Sequence, residues 1–114
     1  ECQESLRVLL DQLHSDGLRV AAYGAAAKGA TLINSCGIDT TRIAYVVDRN
    51  VHKQNKLMPG CRLPILPVEH LLDDQPDYVV LFAWNFADEI LRQQAEYVRR
   101  GGRFIVPAPL ARVI

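Results

Sequence analysis

A chain of 114 residues that is 49 % hydrophobic and 23 % charged holds the apolar material for one domain with a real core, and is too short for a two-domain enzyme. Its 13 Lys and Arg balance 13 Asp and Glu, so it lacks the basic excess that draws a protein onto nucleic acid. No apolar run approaches the roughly 20 residues that span a bilayer and no signal peptide opens the chain, which leaves no membrane partner to expect.

Leu6, Leu9, Leu10 and Leu13 recur at the spacing of one helical face and predict a first helix. The apolar run Leu18 to Tyr23 reads as a strand that leads into the small-residue loop Gly24-Ala25-Ala26-Ala27-Lys28-Gly29-Ala30-Thr31. With only hydrogens or methyls over most of that loop, a ligand can approach backbone amides at a helix N-terminus, where partial positive charge favours an anion. The dinucleotide fingerprint is met only in part, because Ala26 occupies its middle glycine position. Lys28 precedes the second glycine instead of following it, so a Walker A loop is excluded. A helix is expected from about Lys28 to Asn34, stopping at Gly37. The strand Ile43 to Val47 then runs into Asp48-Arg49-Asn50 and an irregular stretch from Asn50 to Pro64. A brief strand at Ile65-Leu66, a short helix from about Pro67 to Leu72 with Pro67 near its first turn, and a strand from Tyr78 to Ala83 follow. Trp84-Asn85-Phe86 open a helix patterned by Ala87, Ile90, Leu91, Ala95 and Val98, and Phe104 to Val106 forms the last strand before Pro107.

These runs are continuously apolar, as befits parallel strands covered on both faces. Strands alternating with helices imply an α/β domain with a doubly wound parallel sheet, whose ligands bind beyond the carboxyl ends of the strands. The loops expected to share that edge carry Gly24 to Gly29, Asp48-Arg49-Asn50 and Trp84-Asn85-Phe86. Asp48 lies 24 residues beyond Gly24, where an acid often binds a ribose diol, but an aspartate there also serves to cap its own turn. Lys28 in a first helical turn opposes the helix dipole, which an anionic partner would justify; the plain alternative is a solvated lysine. Asn85 with Asp88 makes a capping-box-like start, and Trp84 and Phe86 are either stacking or packing aromatics. Arg49, His52 and Lys53 either clamp a phosphate or keep the loop soluble. His14 and His70 lie in helices beside acidic residues and read as surface histidines.

Cys2, Cys36 and Cys61 stand far apart, without the paired spacing of a zinc site or disulfide framework, so no metal is expected and a reducing cytoplasm is the default compartment. No nucleophile and base, paired carboxylates or metal motif can be assigned, and no catalytic residue is expected. Glu1 opens the chain and its single methionine is Met58, from which a fragment of a longer polypeptide is expected.

The loop from Tyr23 to Leu32, Val46-Val47-Asp48-Arg49-Asn50 with His52-Lys53-Gln54, Pro59-Gly60, Pro64-Ile65, the run from Pro76 to Ile90, and Gly101-Gly102-Arg103-Phe104-Ile105-Val106-Pro107 together resemble the C-terminal domain of S-adenosylmethionine-dependent sugar C-methyltransferases. The resemblance extends from about Leu18 to Pro109; Val51 departs from a proline in the family pattern, and Ala108 from a larger apolar residue. It implies that residues 1–114 are a single Rossmann-like domain, mainly parallel with helices on both faces, preceded in the whole protein by a zinc-binding domain and a methyl-donor domain. S-adenosylmethionine and the catalytic base would then belong upstream, with no cofactor on this chain. Its expected partners are the methyl-donor domain of the same polypeptide and a nucleotide-diphosphate sugar. The substrate-binding set so implied is Gly24, Ala25, Lys28, Gly29, Asp48, Arg49, Asn50, Lys53, Trp84, Asn85 and Phe86. Two other classes stay open: a self-contained NAD- or coenzyme-A-binding module, in which Ala26 would crowd the pyrophosphate, and a purely structural interdomain module.

Overall fold

The computed structural model describes residues 4–24, 33–34, 37–38, 41–58, 62–82, 86–107 and 112–114. Helix α1 (Glu4–Ser15) buries Leu6, Leu10 and Leu13. Strands β1 (Val20–Tyr23) and β2 (Val46–Asp48) follow, then the short β3 (Lys56–Leu57) and β4 (Pro64–Pro67). Helix α2 (His70–Asp74) leads to β5 (Tyr78–Leu81), and helices α3 (Ala87–Gln93) and α4 (Ala95–Arg99) to β6 (Arg103–Val106) and β7 (Arg112–Val113).

Among the described residues these strands form one sheet in the order β3-β4-β2-β1-β5-β6-β7. The five strands from β4 to β6 run parallel, with Ala22 beside Val46 and Val80, while β3 and β7 pair antiparallel at the two edges. The sheet is therefore mixed, a correction to the parallel sheet read from the alternating elements, although most of it is parallel as the family resemblance implies. The continuous apolar runs are explained by burial on both sides: Val20, Ala22, Val46, Val80 and Ile105 pack with α1, whereas Ala21, Tyr23, Val47, Val79, Phe104 and Val106 pack with Leu71, Ile90 and Tyr97 from the later helices.

Several element boundaries differ from the sequence expectation. Ile43 and Tyr45 are buried but precede β2, which starts at Val46. Pro67 ends β4, lying opposite Asp48 of β2, and the following helix starts three residues later at His70. The stripe through Ala87 and Val98 covers two helices, parted at Gln94. Val98, placed on the core face by its spacing, is exposed, and Tyr97 takes the buried position instead. Of the helix expected from Lys28 to Asn34 only Ile33 and Asn34 are described, both helical; after them the amides of Gly37 and Ile38 donate to the carbonyls of Asn34 and Ile33, and Gly37 adopts φ +66°, a left-handed cap that glycine adopts without strain.

Candidate functional site

The carboxyl ends of β1, β2 and β5 lie side by side because β1 is paired between the other two. Gly24 leaves β1 with φ +98°, while its amide still donates to the Val47 carbonyl at 2.9 Å. A side chain is strongly disfavoured at that backbone angle, so the glycine is what turns the chain sharply at this edge. Ala25, Lys28, Gly29, Trp84 and Asn85 lie outside the described residues.

Beyond β2 the backbone is folded by its own side chains. The Asp48 carboxylate accepts the Asn50 amide at 2.8 Å, and the Asn50 side-chain oxygen accepts the His52 amide at 2.9 Å. Gln54 donates to the Asp48 carbonyl at 2.9 Å. Two successive Asx turns therefore hold Asp48, Arg49, Asn50 and Lys53 in a compact loop, and the turn-capping alternative for Asp48 is realised. Arg49, Val51, Gln54, Val68 and Glu69 line a shallow concavity beside it.

Arg49 reaches away from its own loop to α3. Its Nη1 donates to Gln93 Oε1 at 3.3 Å and stands 3.9 Å from Glu89 Oε2, while Gln93 Nε2 donates to the same Glu89 oxygen at 3.1 Å. Phe86 caps α3 without a side-chain hydrogen bond and is 61 % exposed, so it offers an apolar ring to the outside. At the root of this edge Tyr23 is only 4 % exposed, and its hydroxyl has no hydrogen-bond partner of ordinary geometry. Burial pushes its pKa up, against the pull of the Arg49 charge and the Gln94 side chain. Sequence reasoning missed Tyr23, Glu89 and Gln93: Tyr23 reads as the last residue of an apolar strand, and nothing local marks two α3 residues as partners of a loop 40 positions earlier.

The more strongly coupled polar cluster lies at the opposite, amino end of the sheet. Arg19 donates to the Asp74 carboxylate at 2.6 Å and to the carbonyls of Asp74 and Gln75, its amide donates to Asp77 at 2.7 Å, and the Tyr45 hydroxyl donates to Asp74 at 2.8 Å. Burial works against the Asp74 carboxylate, but the hydrogen bonds from Tyr45 and Arg19 outweigh it and hold the pKa below its ordinary value. Burial followed by the Asp74 contact raises that of Tyr45. Each of these hydrogen-bonded groups has its partner, so the cluster ties the start of β1 to the turn before β5. His70 stands edge-on to Tyr45 with centroids 4.8 Å apart, half-buried instead of on the surface as its sequence neighbours imply.

Among the described residues no group of three His, Cys, Asp or Glu could hold a metal ion, and no helix is long and apolar enough to cross a membrane. Fold and site thus define a small α/β domain with loops gathered at the carboxyl edge of its parallel strands. Residues 1–109 match the family of the C-methyltransferase C-terminal domain, and the chain belongs to that family. It is 44 % identical over 109 residues to the C-methyltransferase NovU of Streptomyces niveus, a match covering 96 % of this chain and 26 % of that protein. The chain thus spans about a quarter of the length of the curated relative it matches.

Proposed function

We propose that this chain is the substrate-side domain of an S-adenosylmethionine-dependent C-methyltransferase acting on a nucleotide-linked keto-deoxysugar. The observation that carries the reading is the match itself: nearly the whole chain aligns with a quarter of a C-methyltransferase, within a family defined as its C-terminal domain. The strand order, in which β4, β2, β1, β5 and β6 occupy the places of a five-stranded doubly wound sheet, supports reading the domain as Rossmann-like. In that reading ligands gather at the β1, β2 and β5 carboxyl ends, where Gly24, Asp48, Arg49, Asn50 and Lys53 lie.

The whole protein would remove the acidic proton next to the sugar keto group and let the enolate take the methyl group. Base, methyl donor and zinc belong in this reading to the rest of the polypeptide, as does the cytoplasmic setting. This chain's residues bind and orient. The loop amides after Gly24 and the Lys28 ammonium face the pyrophosphate, Arg49 and Lys53 add charge, and Trp84, Asn85 and Phe86 meet the nucleotide or sugar. Phe86 is also an apolar contact for the methyl-donor domain.

Calorimetric titration of this chain with a thymidine-diphosphate sugar, S-adenosylmethionine, NAD and coenzyme A tests the reading. A ligand shared between two domains leaves half its contacts here, so the sugar nucleotide should bind with Kd of about 1 mM, or ~4 kcal/mol. S-adenosylmethionine should show no heat. Micromolar affinity for NAD or coenzyme A would replace the proposal with a self-contained dinucleotide or coenzyme module. Labelled-methyl transfer by this chain alone would overturn the assignment of the chemistry to the rest of the protein.

A further inference from the structure

Arg49 and Glu89 come from separate elements and meet at one point of the sheet edge, beside the strand that ends in Tyr23. Arg49 follows β2 and Glu89 belongs to the helix after β5, so their contact bridges the end of β1, where Tyr23 sits. The contact is loose. Its nitrogen–oxygen distance is 3.9 Å, the Gln93 hydrogen bond is 3.3 Å, and the Arg49 and Glu89 side chains are 64 % and 54 % exposed. Exposed pairs at such distances hold a guanidinium weakly and yield it to a better acceptor. Below them lies a feature that folded proteins seldom tolerate, the buried Tyr23 hydroxyl, which has the Gln94 side chain near it but no hydrogen bond of ordinary geometry. Tyr23 ends β1 between the strands that carry Arg49 and lead to Glu89, and the charges of Arg49, Asp48 and Glu89 reach its hydroxyl together with the Gln94 side chain.

We propose that Arg49 is a displaceable clasp: Glu89 and Gln93 hold its guanidinium until a phosphate oxygen of the ligand takes it, and the Tyr23 hydroxyl then donates a hydrogen bond to that ligand. The proposal rests on the reading that this edge receives a nucleotide-diphosphate sugar, and it adds Tyr23 as a binding residue and Glu89 as the carboxylate that competes with the ligand. A phosphate offers Arg49 two oxygens and full negative charge, where Glu89 and Gln93 offer one long contact each. The Tyr23 proton then gains the acceptor that it lacks in the free protein.

The test is a set of titrations of this chain with a thymidine-diphosphate sugar and with inorganic pyrophosphate, followed by calorimetry and by amide shifts in heteronuclear NMR. Glu89→Gln should tighten binding about fivefold and Arg49→Gln weaken it about tenfold. In the Arg49→Gln background the gain from Glu89→Gln should vanish, because a competing carboxylate matters only while there is a guanidinium to hold. Tyr23→Phe should weaken binding several-fold while leaving the thermal midpoint unchanged or raised, since it removes an unsatisfied group. The clasp is overturned, with the site intact, if the sugar nucleotide shifts the amides around Gly24 and Asp48 yet the Glu89→Gln effect persists undiminished without Arg49. It is also overturned if Tyr23→Phe costs stability and leaves affinity unchanged. Absence of any shift at ten-millimolar ligand would sink the binding-edge reading itself and the clasp with it.

Discussion

Substituting Gly102 by alanine should unsettle this fold strongly, for a reason seated in Tyr97. A Cβ built on Gly102 falls inside the Tyr97 ring, against Cζ, Cε1 and Cε2 at once. An ordinary carbon–carbon contact needs about 3.5 Å, so the ring would have to retreat by more than ~1 Å. It has nowhere to go. The ring is fully buried, Phe104 stands edge-on at 5.4 Å, and the hydroxyl donates to the Pro76 carbonyl at 2.7 Å. A retreat of that size breaks this bond and leaves a buried carbonyl unpaired, at ~1–3 kcal/mol, and the overpacking adds ~1–3 kcal/mol. Gly102→Ala should therefore lose about 2–6 kcal/mol of a total near 5–15 kcal/mol, lowering Tm by roughly 10–25 °C. Urea unfolding followed by circular dichroism measures the loss. Tyr97→Phe alone should cost ~1–3 kcal/mol, and the double variant less than the two singles together, because a ring freed of Pro76 can move aside. Stability of Gly102→Ala within ~0.5 kcal/mol of the parent would show that the ring is not clamped and would refute the reasoning.

Asp74→Asn should cost about 1–2 kcal/mol at neutral pH by weakening the bonds to Arg19 and Tyr45. Because the folded pKa of Asp74 lies below its ordinary 3.8, this contribution is complete above about pH 5 and drains away as pH falls through the folded value, so the urea midpoints of parent and variant should converge in acid. Tyr23, Tyr45 and Tyr97 all have pKa values raised above 10.0 by burial, so they favour the folded state fully below pH 10 and lose that advantage as pH rises further. Urea midpoints should be flat from pH 8 to about 9.5 and fall beyond it, less steeply in Tyr97→Phe. In the longer polypeptide, Lys28→Ala should raise the Kd of the sugar nucleotide about tenfold, the value of one charge-assisted contact at ~1.5 kcal/mol; unchanged affinity on calorimetry would make Lys28 a solvated lysine.

What could be read from the residues alone is what depends on neighbours in the chain. Uninterrupted apolar runs located four of the five parallel strands, since burial on two faces requires apolar side chains at every position, and the fifth, β4, showed only as the brief Ile65-Leu66. The stop at Gly37 and the turn at Asp48 were legible too, because a left-handed cap and an Asx turn close within two to five residues. The resemblance to the C-methyltransferase C-terminal domain was carried by ordered local motifs and agrees with the family match. Long-range packing decided the remainder. Periodicity ran through Ala87 and Val98 without a break, yet the chain parts at Gln94 and turns Tyr97 inward, where the Pro76 carbonyl and the bare face of Gly102 receive its ring. The antiparallel edges at β3 and β7 depend on which backbone donors the parallel strands leave open. Arg49 meets Glu89 and Gln93 only because β1 brings the ends of β2 and β5 together. A pairing of side chains 40 or more residues apart leaves no mark on the local pattern of either, and only the order of strands in the sheet creates it.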